Sequence, residues 1–249
     1  MAISVDELEK ILKQVSSLKT SAQTNSEFGD YDDALKDLDE AIAILTPTFK
    51  ELEAMDSEEV KQYEPFPFKF AVELADCYGM KGGNHRRKGE LEKAEEMYME
   101  GSTFEVNYNI PETYNRTNTI VLQLLRDPVR HEALRPIIQS ARDIVGKQLE
   151  GKNKNKWWAW ADFGLLNLLS VTLEESGRPS EGSEHPVGYR KAAHDAYVEF
   201  KNNGAGKQNF ESTVNVLEQL KGRFEEVDAA TASLMQEEIG YLKANMPEH

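Results

Sequence analysis

The chain has 249 residues, of which 39% are hydrophobic and 29% are charged, with nine prolines, sixteen glycines and one cysteine. This composition excludes collagen, low-complexity disorder and a disulfide scaffold, and the length allows one large domain or two small ones. The formal net charge of −15 opposes phosphate backbones, so we expect no nucleic-acid partner.

Two amphipathic helices open the chain. Apolar residues recur in both segments at spacings of three and four, which places them on one face of a helix. The first segment carries Val5, Leu8, Ile11, Leu12, Val15 and Leu18, and the second carries Ala34, Leu35, Leu38, Ala41, Ile42 and Leu45. Aspartates at positions 30, 32 and 33 suit the start of the second helix, and Pro47 is expected to bend or interrupt it.

The rest of the chain keeps helical periodicity between proline- and glycine-containing breaks. The breaks lie at 64–67, 109–112, 127–128, 146–156, 175–188 and 202–206. Pro111 is expected near a helix start, and Asp127-Pro128 splits one helix pair. Hairpin dipeptides and period-2 runs are missing, so we predict about ten helices and no sheet. No break resembles an interdomain linker, so we predict a single domain over residues 1–249.

A pattern of small and large residues recurs around two glycines. Around Gly89 its members are Ala75, Tyr78, Gly82, Leu91, Ala94, Tyr98 and Gly101. Around Gly29 they are Leu18, Ala22, Tyr31, Ala34, Leu38 and Ala41. An interrupted third copy contains Trp160, Gly164, Gly188, Ala193, Tyr197 and Phe200. Small residues let two helices approach closely, and neighbouring pairs then stack to share one core.

This pattern resembles the tetratricopeptide repeat, an antiparallel helix pair with a glycine in its turn. We therefore predict an all-α, antiparallel helical-hairpin (tetratricopeptide-like) solenoid of four to five helix pairs. A terminal capping helix is expected at about residues 225–245. Such a stack curves and leaves a concave groove, which usually holds a peptide or a helix.

A longer resemblance covers residues from about 70 to 222. It is carried by Tyr108–Leu125, Trp157–Leu169 and Asn209–Leu220. In this order the segments resemble the TRAF-binding tetratricopeptide region of the stress-activated mitogen kinase kinase kinases and, more closely, its bacterial relatives. That region is a regulatory protein-interaction platform. The chain has no kinase glycine-rich loop and no HRD or DFG motif, so the resemblance implies the platform alone and not TRAF binding.

Six residues are expected to contact a protein or peptide partner. They are Tyr78, Arg86, Arg87, Asn115, Asn118 and Trp158. The two arginines end the first helix of a repeat and could meet an acidic group of the partner. The alternative is that they only complement the dipole at the helix C-terminus.

The other candidates have alternatives too. Asn115 and Asn118 lie at helical spacing and could bind an extended backbone, or could instead satisfy buried turns between repeats. Trp158 points about 100° away from Trp157 on a helix, so it is either an exposed anchor or part of the core. Cys77 is expected to be a small core residue rather than a nucleophile.

Two enzyme readings stand as the alternative function. Arg126 and His131 have the Arg-x4-His spacing of helical HEPN-like ribonucleases, in which the pair would handle phosphate and proton transfer. Pro128 lies between them and breaks the helix that this motif needs.

The second enzyme reading rests on Asp32, Asp33 and Asp37. They loosely resemble the Asp-rich magnesium motif of helical isoprenoid synthases. No second such motif follows, and a helix N-terminus already explains these acids. The five histidines show no metal-ligand spacing, so we predict no metal and no cofactor.

Charge is unevenly distributed along the chain. Residues 1–64 hold sixteen acidic and six basic residues, whereas residues 126–156 hold eight basic and four acidic ones. Self-association of two copies through these regions is therefore possible. No run of about 18 apolar residues and no secretory signal is present, so we expect no membrane association. With one cysteine the chain cannot form an internal disulfide, so the expected location is the cytoplasm. The resemblance to a tetratricopeptide platform leads us to expect a non-catalytic scaffold.

Overall fold

A computed structural model of the chain describes residues 3–56, 58–151, 153–175 and 186–248. These residues form ten α-helices, two short 3-10 helices at Val60–Tyr63 and Pro128–Arg130, and no strand. The α-helices are α1 (Val5–Phe28), α2 (Tyr31–Ala54), α3 (Phe66–Arg87), α4 (Leu91–Asn107), α5 (Tyr114–Arg126), α6 (His131–Leu149), α7 (Trp157–Glu175), α8 (Pro186–Asn202), α9 (Lys207–Phe224) and α10 (Ala229–Ala244). The all-α prediction with consecutive helices packed as hairpins is confirmed.

The chain groups into two compact units, which are described separately. The N-terminal unit comprises the chain up to Ile110 together with Tyr114–Thr119, and the C-terminal unit comprises Pro111–Thr113 and the chain from Ile120 onward. One continuous domain is expected from the sequence, and that expectation stays a prediction.

The N-terminal unit is built from two helix pairs. Helix α1 packs on α2 and α3 packs on α4, while α3 also contacts both helices of the first pair. The apolar faces predicted from the sequence form its core, including Leu8, Val15, Leu38 and Leu45, which are fully buried. Val5 is the exception, because it lies in the first turn of α1 and is exposed.

The two repeat glycines form equivalent turns. Gly29 has a φ of +85° and Gly89 has a φ of +77°, a left-handed conformation that favours glycine. The N–H of Asp30 donates to the Asn25 carbonyl (2.8 Å), and the N–H of Glu90 donates to the His85 carbonyl (2.9 Å). Both helix pairs of this unit therefore turn in the same way, at the positions where the repeat pattern aligns them.

The C-terminal unit contains the end of α5 and helices α6 to α10. Helix α7 packs on α6 and α8, α9 packs on α10, and α10 also contacts α7 and α8. The interrupted third repeat brings Gly164 against Tyr197, since a Cβ on Gly164 would lie 2.7 Å from the tyrosine ring. In the N-terminal unit, Gly82 and Tyr98 have the same relation at 2.8 Å. Close approach at a glycine therefore recurs in two helix pairs.

Proline has less effect on the helices than the sequence suggests. Helix α2 runs through Pro47 without a break, because Pro47 and Ala43 lie on its exposed face, where water can bind the carbonyl that loses its N–H partner. Pro111 lies three residues before α5, which begins at Tyr114, so it is near a helix start as expected. Pro128 starts a 3-10 turn between α5 and α6, as a split at this position predicts.

The last helix, α10, lies at the predicted capping position. Most of the loop predicted at 175–188 lies outside the described residues. Across the ranges that are described, no helix combines the length and the apolar character needed to cross a membrane.

Candidate functional site

Five of the six predicted partner residues lie in the N-terminal unit. Tyr78, Arg86 and Arg87 are on the second half of α3, and Asn115 and Asn118 are on the first two turns of α5. The sixth residue, Trp158, lies on α7 in the C-terminal unit. The α3–α5 face, meaning the surface where the end of α3 meets the start of α5, is therefore the candidate site.

A buried carboxylate holds the start of α5 in place. The Glu105 carboxylate, on α4, accepts the backbone N–H of Asn115 (2.9 Å) and that of Arg116 (3.1 Å). These N–H groups belong to the first turn of α5 and have no partner within the helix, and the helix dipole favours a negative charge there. The first turn of α5 is thus fixed to α4 by hydrogen bonds.

Burial disfavours the ionised form of Glu105, which is only 2% exposed. Loss of solvent raises the pKa of Glu105 to about 7, while the two backbone N–H groups and the charge of Arg116 act in the opposite direction. The carboxyl group therefore changes its protonation near neutral pH.

Asn115 has the structural role that the sequence left as an alternative. It is 3% exposed, and its side-chain amide donates to the Ala75 carbonyl (3.0 Å). It fills the space left by two glycines, because a Cβ on Gly79 or Gly101 would lie 2.8 or 2.5 Å from the Asn115 side chain. Asn115 joins α3, α4 and α5 and does not present its side chain to a partner.

Two arginines at the end of α3 have only neutral hydrogen-bond acceptors. Arg86 Nη1 donates to Asn118 Oδ1 (3.1 Å), and Arg87 Nη1 donates to the Ser26 hydroxyl (2.9 Å). Within the described part of the chain, no carboxylate lies within 4 Å of either guanidinium. Arg86 is half-buried and Arg87 is exposed.

Lysines near these arginines are paired with acids. Lys81 pairs with Asp39, and Lys88 pairs with Asp32. Lys19 on α1 binds both Glu73 and Asp76, each at 2.8 Å. The lack of a carboxylate partner is thus particular to Arg86 and Arg87, because acidic residues do pair with the lysines around them.

Two tyrosine hydroxyls lie beside Arg87. The Tyr98 and Tyr114 hydroxyl oxygens are 3.5 Å apart, and the rings meet edge to face. A Cβ on Gly83 would be 3.7 Å from both oxygens and from Arg87 Nη1, so the three groups surround one point above a residue without a side chain. We call Arg86, Arg87, Tyr98 and Tyr114 the arginine–tyrosine cluster.

The Tyr98 hydroxyl in this cluster keeps its proton at neutral pH. Burial raises the pKa of Tyr98 well above its usual range, although the nearby guanidinium groups of Arg86 and Arg87 lower it. From the sequence, Tyr98 is expected only to be a packing residue of the repeat, and its ring does pack against Gly82. Its second role depends on α5, which approaches from outside the repeat.

The remaining predicted residues, Tyr78 and Trp158, are half-buried and pack against other side chains. Tyr78 is half-buried and stacks on Phe104, with ring centroids 6.0 Å apart and an interplanar angle of 18°. Trp158 is half-buried and packs against the C-terminal core. In its helix, the indole N–H of Trp160 donates to the Lys154 carbonyl (2.8 Å) and Trp157 contacts Phe200.

The two residues of the ribonuclease reading, Arg126 and His131, lie on different helices. His131 is 7% exposed, shares a hydrogen bond of 2.8 Å between its Nε2 and the Leu169 carbonyl, and contacts the Phe224 ring. Its burial lowers the pKa of His131, which favours the neutral ring. Arg126 ends α5 and His131 begins α6, so the two do not share a helix as the ribonuclease motif requires.

Two of the three aspartates of the second enzyme reading have other partners. Asp32 binds Lys88, and Asp37 accepts a hydrogen bond from the Asn25 amide (3.0 Å). Over the described ranges, no group of three or more His, Cys, Asp or Glu residues could hold a metal ion.

The C-terminal unit has a separate, mainly apolar cavity of about 310 Å³ at the end of α6. Gln148 lines it and accepts a hydrogen bond from the Asn153 amide (3.2 Å). Gln148 Nε2 is buried and has no partner among the described residues. None of the six predicted partner residues lines this cavity.

Comparison with protein-family models, with curated proteins and with solved structures gave no match to this chain. Its function is therefore inferred from the residues and distances above.

Proposed function

We propose that this protein is a non-catalytic interaction scaffold, which binds a peptide or helix of a partner protein at the α3–α5 face. The observation that supports the proposal most is the pair of arginines without carboxylate partners among the described residues. They lie within hydrogen-bonding reach of Asn118 and Ser26, on a face where Tyr114 is 47% exposed. Cationic and aromatic groups of this kind are typical of protein-binding surfaces.

We further propose a tetratricopeptide-like stack and a cytoplasmic location. The equivalent turns at Gly29 and Gly89 support the first proposal. Cys77 supports the second, since the thiol is fully buried and its pKa is raised by burial to about 12. Such a thiol is unreactive, and its lone presence fits a reducing compartment.

A capture experiment tests the scaffold. The full chain is immobilised, exposed to lysate from its own source, and the bound proteins are quantified by mass spectrometry. We expect a defined set of proteins that is lost with Arg86→Glu/Arg87→Glu. The matched control is Arg190→Glu/Lys191→Glu, an exposed adjacent pair on α8 with the same change of charge. Equal capture by both variants would contradict a binding role for the α3–α5 face.

Activity assays separate the scaffold from the enzyme alternatives. RNA cleavage is measured for the wild type and His131→Ala, and magnesium-dependent diphosphate release for the wild type and Asp33→Asn. We expect no turnover in either assay. Turnover by the wild type that is lost in the corresponding variant would replace the scaffold by an enzyme.

A further inference from the structure

We propose that the arginine–tyrosine cluster binds a phosphate monoester, carried by a phosphorylated side chain of the partner protein. This inference rests on the proposed function, because it names the chemical group that a partner presents to the same face. It does not follow from that function, since a scaffold could bind an unmodified segment equally well.

The charge of the site is the first argument. The chain holds 44 acidic and 29 basic residues, yet within the described ranges Arg86 and Arg87 have no carboxylate within 4 Å. Nearby lysines do have such partners. Guanidinium groups bind phosphate oxygens through paired N–H donors, so two arginines that are adjacent in the sequence and lack carboxylate partners suit a dianion.

The number of donors is the second argument. Each guanidinium has five N–H donors and uses one Nη nitrogen in the hydrogen bonds described here. Only one of the two tyrosine hydroxyls can donate to the other, so the O–H of the second hydroxyl remains available to a ligand. Together these donors exceed what the two oxygens of a carboxylate need, whereas a phosphate monoester offers three terminal oxygens.

The burial of Tyr98 is the third argument. Its side chain is 1% exposed, and the 3.5 Å separation from the Tyr114 hydroxyl is long for a hydrogen bond between two hydroxyls. A buried donor with such a weak partner costs free energy, which a bound oxyanion would recover through a charge-assisted hydrogen bond. Both hydroxyl oxygens and Arg87 Nη1 lie 3.7 Å from the point where a Cβ of Gly83 would stand, so the three groups converge on one place.

The charge of the whole chain favours one source of the phosphate over the others. A net charge of −15 opposes nucleic acids and anionic membranes, which bring many phosphates at once. One phosphorylated side chain carries a charge of about −2, and basic residues beside it would be attracted to the acidic surface. A phosphorylated protein segment with basic flanks is therefore the expected ligand.

The test uses the full chain and peptide libraries with random flanks. One library is centred on phosphoserine and phosphothreonine, a second on the unphosphorylated residues and a third on glutamate, and vesicles containing phosphoinositides form a fourth probe. We expect the phosphorylated library to bind at least ~10-fold more tightly than the other two, with no binding to vesicles. This preference should increase for peptides with lysine or arginine in the flanks.

Variants link the binding to the cluster. Arg86→Gln/Arg87→Gln should abolish the preference for phosphate, while Arg190→Gln/Lys191→Gln should retain it. Tyr114→Phe keeps the partly exposed ring and removes only the hydroxyl, so it should stay folded and weaken phosphopeptide binding several-fold. Urea unfolding of each variant shows whether it is folded under the conditions of the assay.

Three outcomes of the library and vesicle assays would overturn the inference. Equal binding of the phosphorylated and unphosphorylated libraries excludes a phosphate receptor, equal binding of the glutamate library assigns the site to carboxylates, and binding to vesicles alone assigns it to a lipid. Lysate capture that is lost with Arg86→Glu/Arg87→Glu but unaffected by phosphatase treatment keeps the scaffold and rejects the phosphate. Absence of any captured protein counts against both.

Discussion

Glycines that touch a tyrosine ring show how one residue controls the approach of two helices. Gly82 on α3 faces Tyr98 on α4, and a Cβ at this position would lie 2.8 Å from the ring. Gly83 is the next residue of the same helix, yet a Cβ there would have ordinary contacts at 3.7 Å. A methyl group therefore clashes at Gly82 and fits at Gly83, although the two glycines are neighbours in one helix.

We expect Gly82→Ala to destabilise the protein by about 1–3 kcal/mol, because the added methyl group overpacks the contact with Tyr98. Gly83→Ala is the matched control and should be neutral or stabilising by up to about 1 kcal/mol, since alanine favours a helix interior. The measurement is the free energy of urea unfolding. Equal effects of the two substitutions would contradict a close contact between α3 and α4 at Gly82.

At the scale of single residues, the sequence identifies part of the site. Arg86 and Arg87 stand out because two adjacent cations end a helix in an acidic chain. Ser26, which binds Arg87, is 61 residues away in the sequence, and no local pattern connects the two. Asn115 has a polar side chain in a polar run, and only its packing against Gly79 and Gly101 shows that it is buried.

At the scale of elements, α5 is anchored by a carboxylate from another helix. Glu105 binds the first turn of α5, and its pKa in the folded protein is about 7, compared with an ordinary value of 4.5. The folded state thus holds the proton of Glu105 more tightly than the unfolded state does. Stability from this group is fully present below about pH 4.5 and is lost as the pH rises to about 7 and above.

We expect the free energy of unfolding of the wild type, compared with that of Glu105→Gln, to decrease as the pH rises from 5 to 8. The lost difference is on the order of 3 kcal/mol, and the glutamine variant has no titrating group at this position. Urea unfolding of both proteins at the two pH values measures it, since all other groups titrate alike in both. A difference that does not change with pH would show that Glu105 titrates normally.

The helices themselves were largely predictable from apolar spacing, because a periodic face specifies a helix without knowledge of its neighbours. The glycine turns at Gly29 and Gly89 were predictable for a similar local reason. The effect of Pro47 was not, since a proline on an exposed face of a long packed helix is tolerated once the buried face supplies enough contacts.

At the scale of the whole molecule, charge is the feature that the sequence shows most clearly. Residues 1–64 are acidic and residues 126–156 are mildly basic. Part of the basic charge is neutralised locally, because Arg135 pairs with Glu132 (2.8 Å) and Arg142 pairs with Asp143 (3.0 Å). These pairs reduce the charge that residues 126–156 can offer to a second copy.

Self-association through these regions predicts an apparent mass that falls as salt rises, because the screening length shortens from about 10 Å at 0.1 M to about 3 Å at 1 M. Sedimentation of the full chain at low and high salt measures the mass. An oligomer with the same mass in both conditions would discard a mechanism based on opposite charges.

The sequence by itself determined the all-helical class, the turns at its glycines and the acidic charge, because periodicity, backbone freedom and charge are local properties. Only the tertiary structure decided which polar residues are buried and which cations lack a carboxylate. Both depend on side chains from distant parts of the chain, such as Ser26, Tyr98 and Glu105, and the sequence does not record the distances between them.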